Sequence, residues 1–276
     1  MRTKLFVPGS RPELFAKALA SEADALSLDL EDAVDESRKV EARVAVGNFL
    51  QALPQAKTKV MIVRVNAIAT GHFEADVAAI RCPGLDMINV PMIESAEDLR
   101  RAAAVTQGIP ILATIETAKG LRLAAEIATA HPSVAGLQLG FGDLLEPLGI
   151  ERYNAAIVLH FQLLMRLAAG EAGVFAYDSA YADVDDLEGL KREAEGARKL
   201  GYLGKSAIHP RQVPVINATF RPSAEEIAYS IKVVETARDA KARGVGAWTV
   251  DGKMVDAPFV MRAENTLALA TRLGLL

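Results

Sequence analysis

Short apolar runs alternate with longer segments of helical period over most of the chain, and this alternation constrains the fold more than any other feature. Eight runs rich in β-branched residues read as strands: Lys4 to Val7, Ala25 to Leu30, Val60 to Val65, Met87 to Met92, Ile109 to Ile115, Val134 to Leu139, Gly173 to Tyr177 and Tyr202 to Ile208. Seven segments between them carry apolar residues at helical spacing: Pro12 to Ala20, Glu36 to Ala52, Phe73 to Ile80, Ala96 to Val105, Leu121 to Ala130, Tyr153 to Ala169 and Leu187 to Leu200. The chain is therefore predicted to be an α/β protein built from βα units.

The predicted strands are mostly continuous apolar runs, which is typical of a parallel sheet covered by helices on its faces. Eight βα units in about 210 residues favour a TIM (β/α)8 barrel over residues 1–220, with an open doubly wound sheet as the alternative. The alternation ends after Pro210. Helical stretches at Glu225 to Arg243 and Phe259 to Leu273 predict a C-terminal helical extension over residues 221–276.

Composition excludes several classes of protein. The 31 Lys and Arg residues against 35 Asp and Glu give a net charge of −4, which offers no footprint for nucleic acid. The most apolar long stretch, Ala155 to Ala169, is interrupted by His160, Gln162 and Arg166, so no membrane span is expected. A single cysteine, Cys82, excludes a disulfide framework and suits a reducing compartment, and we expect a cytoplasmic protein.

Polar residues follow most of the predicted strands. In barrel enzymes the reacting groups lie at the carboxyl ends of the strands. The candidates there are Asp29, Glu31, Asp32, Arg64, Asn66, Glu116, Thr117, Asp143, Asp178, Lys205 and His209. Carboxylates that converge on one mouth repel each other unless a cation lies among them, and their oxygen atoms suit Mg²⁺, with Mn²⁺ as a second option. Glu116 and Asp143 end consecutive strands, so we predict that they are the metal ligands.

Each of these residues also has a purely structural interpretation. A carboxylate at a strand end can simply cap the following helix, which applies to both Glu116 and Asp143. Arg64 lies in the apolar run VMIVRVN and needs an anionic partner, which could be the substrate or simply Glu31 or Asp32. The sequence leaves these alternatives open.

Seven ordered motifs carry a resemblance to a known family. They are KLFVPGSRPELFAKAL, ALSLDLEDAV followed by Lys39 and Arg43, IVRVN, ATIETAKG, GFGDLLEPLG, GKSAIHPRQV and GKMVDAP. Together they resemble the citrate lyase beta-subunit-like family of the HpcH/HpaI aldolase superfamily, to which malyl-CoA and citramalyl-CoA lyases belong. The resemblance runs from about residue 3 to the C-terminus.

The resemblance implies a Mg²⁺-dependent TIM barrel enzyme that cleaves or forms a carbon–carbon bond next to a thioester. Glu116 and Asp143 match the family's metal ligands, with Glu116 also among the catalytic and substrate-binding residues, and Arg64 matches its substrate-binding and catalytic arginine. The remaining substrate-binding or supporting polar residues implied are Asp29, Glu31, Asp32 and Lys39.

The same resemblance assigns a role to Asp256. It matches a catalytic aspartate that, in related lyases, reaches into the active site of a neighbouring subunit. This implies a homo-oligomer, commonly a trimer, in which the C-terminal extension packs on a neighbour. Without the resemblance, V-D-A-P reads as a polar turn in which Asp256 caps a helix near Pro258.

One position departs from the family's pattern. Many relatives read L-P-K-x-E-S where this chain reads V-P-M-I-E-S, so Met92 replaces a lysine. We expect a lyase that cleaves a citramalyl-CoA or malyl-CoA type thioester to a 2-oxo acid and an acyl-CoA. The alternatives are a 4-hydroxy-2-oxo acid aldolase, a citryl-carrier lyase subunit of a citrate lyase complex, and a catalytically silent binding or scaffold barrel.

Overall fold

The computed structural model describes residues 1–54 and 56–276. Within them the chain forms two compact units, Met1–Phe220 and Arg221–Leu276. The first unit contains the predicted barrel.

Eight parallel strands form the first unit's sheet. They are β1 Thr3–Pro8, β2 Ala25–Asp29, β3 Val60–Arg64, β4 Met87–Val90, β5 Ile111–Ile115, β6 Val134–Leu139, β7 Phe175–Tyr177 and β8 Lys205–Ala207. The order is β7-β6-β5-β4-β3-β2-β1-β8, and a parallel bridge between Asp178 and Lys205 joins the two ends. The sheet therefore closes into a (β/α)8 barrel. This confirms the predicted fold and excludes the open sheet.

Helices cover the outside of the barrel. They are α1 Phe15–Leu19, α2 Lys39–Ala52, α3 Phe73–Ile80, α4 Ala96–Thr106, α5 Ala118–Arg122, α6 Ala124–Ala128, α7 Phe141–Leu145, α8 Ala155–Glu171, α9 Leu187–Lys199 and α10 Gln212–Thr219. Short 3-10 turns lie at Pro12–Leu14, Glu36–Arg38 and Glu146–Leu148. The helix predicted from Leu121 to Ala130 is in fact two short helices, because the chain leaves helical geometry at Leu123.

Side-chain alternation along the strands separates two environments. In β1, Leu5 and Val7 belong to the large apolar core. Lys4 and Phe6 face the other way, into the barrel, as the bond from Lys4 to Gln138 of the non-adjacent strand β6 shows. The main apolar core therefore includes the outward-facing strand residues and the helices packed on them.

The second unit consists of α11 Ala224–Ala242, a hairpin of β9 Trp248–Val250 and β10 Lys253–Val255, and α12 Ala257–Arg272. Ser223 and Glu226 form the reciprocal capping box at the start of α11. Val233, Val250 and Val255 pack in its small core. The hairpin was not predicted, since its strands are only three residues long. Among the described residues, no helix is long and apolar enough to span a bilayer.

Candidate active site at the carboxyl end of the barrel

Arg64, the last residue of β3, is held in place by the carboxylate of Asp29. Its Nε lies 2.7 Å from Asp29 Oδ1 and its Nη2 lies 2.6 Å from Asp29 Oδ2, which is a bidentate pair. Asp29 also accepts hydrogen bonds from the backbone N–H groups of Glu31 and Ala33. The guanidinium lies 5.0 Å from the centre of the Phe6 ring. These contacts leave the guanidinium little freedom to move.

Two further carboxylates contact Nη1, the third nitrogen of the Arg64 guanidinium. Nη1 is 2.7 Å from Glu31 Oε2 and 3.1 Å from Asp32 Oδ2. Burial and the nearby Asp32 charge raise the pKa of Glu31 to about 8, although Arg64 favours the ionised form. Burial disfavours the charge of Arg64, but Asp29, Glu31 and Asp32 outweigh it and raise its pKa. In this structure the anionic partners of Arg64 thus come from the protein, and Asp29 is a partner that the sequence reasoning did not single out.

Glu116 follows β5 and is buried at the mouth of the barrel. Its Oε1 accepts a hydrogen bond of 2.7 Å from the backbone N–H of Met92. Burial raises the pKa of Glu116 to about 7, with the Asp143 charge adding to the effect of burial and the Met92 hydrogen bond opposing it. The cap of α5 is Thr117, whose side chain accepts from the N–H of Gly120. The capping alternative for Glu116 is therefore wrong.

Asp143 lies in α7, directly after β6. Residue Gly140 occupies the N-cap position of this helix, so Asp143 does not cap it. A side chain at Gly140 would collide with the Glu116 carboxylate, and the glycine therefore lets α7 begin against that group. Burial and the Asp32 charge raise the pKa of Asp143. The Asp143 charge raises the pKa of Glu116, and the Asp32 charge raises the pKa of both, which indicates that the three carboxylates lie close together at the mouth.

These carboxylates fit a hard divalent cation. Two half-buried or buried carboxylates with raised pKa values repel each other when no cation lies between them. Within residues 1–54 and 56–276, no group of three or more His, Cys, Asp or Glu side chains has metal-binding geometry. Mg²⁺ needs only one or two protein carboxylates, since water and substrate oxygen atoms fill its other positions. Glu116 and Asp143 satisfy that requirement.

Lys39 connects two loops next to the mouth. Its Nζ donates to the backbone oxygen atoms of Leu30 and Glu31, each at 3.1 Å, and to Asn66 Oδ1 at 2.6 Å. Asn66 in turn donates to Asp76 and to Leu30. Lys39 therefore ties the loop after β2 to the loop after β3, and its predicted contact with substrate stays a prediction.

Three strand-end candidates lie in structural contacts instead. Asp178 and Lys205 form a buried ion pair of 2.8 Å, and Lys205 also binds Glu193 of α9. The ring of His209 accepts a hydrogen bond from the backbone N–H of Arg211. These contacts join the last strands to their helices and place no charge among Glu116, Asp143 and Arg64.

Asp256 lies in the second unit, at the N-cap position of α12. Its side chain makes no capping hydrogen bond. Its Oδ1 is shielded from solvent and has no hydrogen-bond partner within the described part of the chain. The simple capping role weighed for this residue is therefore wrong, and its catalytic role stays a prediction.

Comparison with known proteins identifies the family. The sequence profile of the HpcH/HpaI aldolase/citrate lyase family matches residues 2–210. The chain belongs to this family. Membership confirms the resemblance drawn from the motifs and the expectation of an enzyme.

Relatives in the family can be aligned with nearly the whole chain. A (3S)-malyl-CoA thioesterase of Cereibacter sphaeroides is 37% identical over 270 residues, covering 98% of this chain and 94% of the relative. The citrate lyase subunit beta of Leuconostoc mesenteroides subsp. cremoris is 34% identical over 281 residues, covering 98% and 93%. The crystal structure of CitE from Mycobacterium tuberculosis in complex with magnesium, acetoacetate and coenzyme A is 35% identical, has a TM-score of 0.79 and covers 98% of each chain.

Two features of the mouth were not predicted from the sequence, namely the backbone conformation of Met92 and the Phe6 ring. Met92 stands out through its backbone, since it adopts a left-handed φ of 55° while its N–H orients Glu116. No sequence signal marks a non-glycine residue for this conformation. Phe6 could have been found, because it lies two residues after Lys4 in β1 and must share its face of the sheet.

Proposed function

We propose that the protein is a Mg²⁺-dependent carbon–carbon lyase that cleaves a hydroxy-dicarboxylyl-CoA thioester, of the citramalyl-CoA or malyl-CoA type, to a 2-oxo acid and an acyl-CoA. The observation that carries the proposal is the convergence of Glu116 and Asp143 from neighbouring strands on a mouth that also contains Arg64. Relatives support the choice of ligands, since the M. tuberculosis structure holds magnesium, acetoacetate and coenzyme A.

The reaction breaks the bond between the hydroxyl-bearing carbon and the carbon next to the thioester. The hydroxyl loses its proton and becomes the carbonyl of the 2-oxo acid. The electron pair of the broken bond passes to the thioester enolate, which then takes up a proton at carbon. The protein must therefore stabilise negative charge on oxygen, move one proton away and deliver one proton.

Arg64 is suited to the first task. Its charge is fixed because its pKa is raised, and the bidentate Asp29 pair holds its direction. A preorganised donor facing a developing oxyanion contributes about 3–4 kcal/mol to catalysis. Substrate would share Nη1 with Asp32, the most exposed of its three carboxylate partners.

Glu116 and Asp143 would hold the metal. When bound, Mg²⁺ supplies Lewis-acid polarisation of the oxygen atoms of the 2-oxo acid unit. The Met92 N–H fixes one Glu116 oxygen, and the second oxygen faces Gly140. Glu116 is thereby oriented before any cation binds.

Asp256 is the residue we assign to proton exchange with the enolate carbon. Its solvent-shielded Oδ1, which has no hydrogen-bond partner among the residues that the structure describes, supports an interaction that a single chain does not complete. Phe259 and Met261, one turn or so along α12, are exposed apolar side chains. We propose that this unit packs on a neighbouring copy and that Asp256 enters that copy's site.

We propose that the protein is a homo-oligomer, specifically a trimer. The exposed face of α8 also supports this proposal. Four of its leucines are 42 to 62% exposed: Leu159, Leu163, Leu164 and Leu167. Apolar clusters of this kind mark interaction surfaces. Light scattering on the purified protein measures the subunit number, and a monomer would contradict the proposal. The cytoplasmic location stays a prediction that rests on the lone Cys82.

The reaction is tested by incubating the purified chain with Mg²⁺ and (3S)-citramalyl-CoA or malyl-CoA. The lyase reaction releases pyruvate or glyoxylate and no free thiol. Glu116→Gln and Asp143→Asn should abolish this release. Asp24→Asn is the matched control, because Asp24 pairs with Arg2 at the opposite end of β2. Loss of activity in the control alone, or activity in either ligand variant, would refute the assignment.

Thioester hydrolysis is a second candidate, favoured by the 37% identity to a (3S)-malyl-CoA thioesterase. Hydrolysis adds water to the thioester carbonyl and breaks the carbon–sulfur bond, so it releases free CoA thiol and the intact hydroxy acid. A thiol reagent and an assay for 2-oxo acids in the same sample separate the two reactions. Release of thiol without 2-oxo acid would replace the lyase proposal by the thioesterase.

The same assay distinguishes the lyase from the two remaining enzyme alternatives, the aldolase and the subunit of a citrate lyase complex. A free 4-hydroxy-2-oxo acid should give no product if the thioester is required. Turnover of a CoA thioester by the purified chain alone would remove the reason to invoke a carrier protein or a citrate lyase complex.

A further inference from the structure

The inside of the barrel beneath the candidate site is polar. Barrel interiors are usually filled by bulky branched side chains. Six of the eight strands here contribute fully or almost fully buried polar side chains to it: Lys4, Ser27, Asn89, Thr114, Gln138 and Ser206. A lining of this kind must satisfy its hydrogen bonds inside the protein, since solvent does not reach it.

Strand pairing places four of these side chains side by side, in two pairs. Lys4 of β1 is paired in register with Ser206 of β8, so both point inward. Thr114 of β5 is paired with Gln138 of β6. Two hydrogen bonds connect them further, from Lys4 Nζ to Gln138 Oε1 and from Thr114 Oγ1 to Asn89 Oδ1 at 2.6 Å.

Three of the six side chains carry a polar atom that has no hydrogen-bond partner among the described residues. They are Ser27 Oγ, Asn89 Nδ2 and Ser206 Oγ. The Lys4 amine has one acceptor within the described part of the chain, Gln138, for the two or three hydrogens that it carries. Unmet donors that cluster in one interior are satisfied in proteins by buried water, which itself needs two to four polar partners.

We propose that the barrel interior binds a small cluster of ordered water molecules, anchored by the Lys4 amine and shared by Ser27, Asn89 and Ser206. Burial and the Arg64 charge lower the pKa of Lys4 well below its usual range, although Asp29 and Glu116 favour its charged form. The ammonium form only donates hydrogen bonds, whereas the neutral amine both donates and accepts, so Lys4 can anchor water in either state.

The Phe6 ring connects the proposed water cluster to the candidate active site. The Lys4 amine is 4.4 Å from the centre of the Phe6 ring, and the Arg64 guanidinium is 5.0 Å from the same centre. Lys4 is therefore a positioning residue, because its hydrated amine fixes the ring on which Arg64 rests. This role rests on the lyase function proposed above, whereas the water positions do not.

The direct test is a high-resolution crystal structure of the wild-type protein and of Lys4→Met. The wild type should show water within hydrogen-bond distance of Lys4 Nζ and Ser206 Oγ. A dry interior, or rotation of Ser27, Asn89 and Ser206 onto one another, would overturn the proposal. In Lys4→Met the water should be lost and Phe6 and Arg64 should shift, whereas an unmoved pair would refute the positioning role.

Kinetics separate positioning from a loss of folded protein. Lys4→Met should lower kcat about tenfold with KM for the thioester nearly unchanged, as expected for a misplaced catalytic group. Lys4→Gln, which keeps a donor, should restore most of kcat. Thr3→Val is the matched control, because Thr3 is buried on the outward face of the same strand and bonds Asn217. Equal kcat values in Lys4→Met and wild type would contradict the role.

Ser206→Ala keeps the test decisive if Lys4→Met does not fold. It removes one partner of the cluster and leaves the amine in place. The water next to Ser206 should disappear from the electron density, and an interior identical to that of the wild type would overturn the proposal.

Discussion

Replacing Asp29 by asparagine should weaken the contact that orients the Arg64 guanidinium. Asp29 is almost fully buried and accepts two guanidinium hydrogen bonds of 2.7 and 2.6 Å together with two backbone N–H groups. An asparagine has the same shape but replaces one acceptor oxygen by an NH₂ group, which then faces another donor. At least one charge-assisted bond, worth about 1.5–3 kcal/mol, is lost.

The expected cost in stability is smaller than that for a fully broken buried pair. Removing one partner of such a pair costs about 3–5 kcal/mol when the other charge is left alone. Here Glu31 and Asp32 remain beside Arg64, so we expect a loss of about 2–3 kcal/mol in the free energy of unfolding. Urea denaturation measures it.

Catalysis should lose a similar amount of free energy. A guanidinium that is no longer held in place gives up most of the about 3–4 kcal/mol of oxyanion stabilisation, which corresponds to a loss in kcat on the order of 10²-fold. Asp24→Asn should lose stability through Arg2 but retain kcat. An Asp29→Asn enzyme with wild-type kcat and wild-type stability would refute the claim that this carboxylate orients Arg64.

Three further predictions concern the metal ligands and the second unit. The pKa of Glu116 is about 7 in the folded, metal-free protein against an ordinary 4.5, so stability without Mg²⁺ should fall by about 3 kcal/mol as pH rises through this window. Denaturation at pH 4.5 and 8 measures this, and an equal slope in Glu116→Gln would contradict it. Gly140→Ala should weaken Mg²⁺ binding at least tenfold by calorimetry, since the new methyl group meets the Glu116 carboxylate; undiminished affinity would count against the arrangement. Mixing unfolded Glu116→Gln and Asp256→Asn chains and refolding them together should restore activity that neither variant has alone, and no recovery would argue against a site shared between copies.

Much of the barrel could be predicted from the sequence because parallel strands buried on both faces leave long apolar runs. All eight runs correspond to strands, and α3 has the predicted bounds. The residues of α7 were missed because this helix is only five residues long and begins at Gly140, directly after β6. The pattern also gave no warning that Leu123 would divide α5 from α6, since apolar spacing continues across it.

The site was predictable where a residue's role follows from its strand, and not where it follows from contacts across the barrel. Glu116 and Asp143 come together because consecutive strands end side by side. The grip of Asp29 on Arg64 depends on the register of β2 with β3, in which these two residues are paired. The left-handed Met92 and the inward Lys4 depend on neighbours far away in the chain, which no local pattern records.

The central claim is that one divalent cation lies between Glu116 and Asp143 and faces Arg64. Anomalous diffraction from crystals soaked in Mn²⁺ and pyruvate tests it most directly, because Mn²⁺ takes the oxygen ligands that Mg²⁺ takes and can be located by its own signal. We predict a single strong peak about 2.1 Å from a carboxylate oxygen of each residue, with the oxo acid between the metal and Arg64. A peak elsewhere, or one that touches neither carboxylate, would contradict the account.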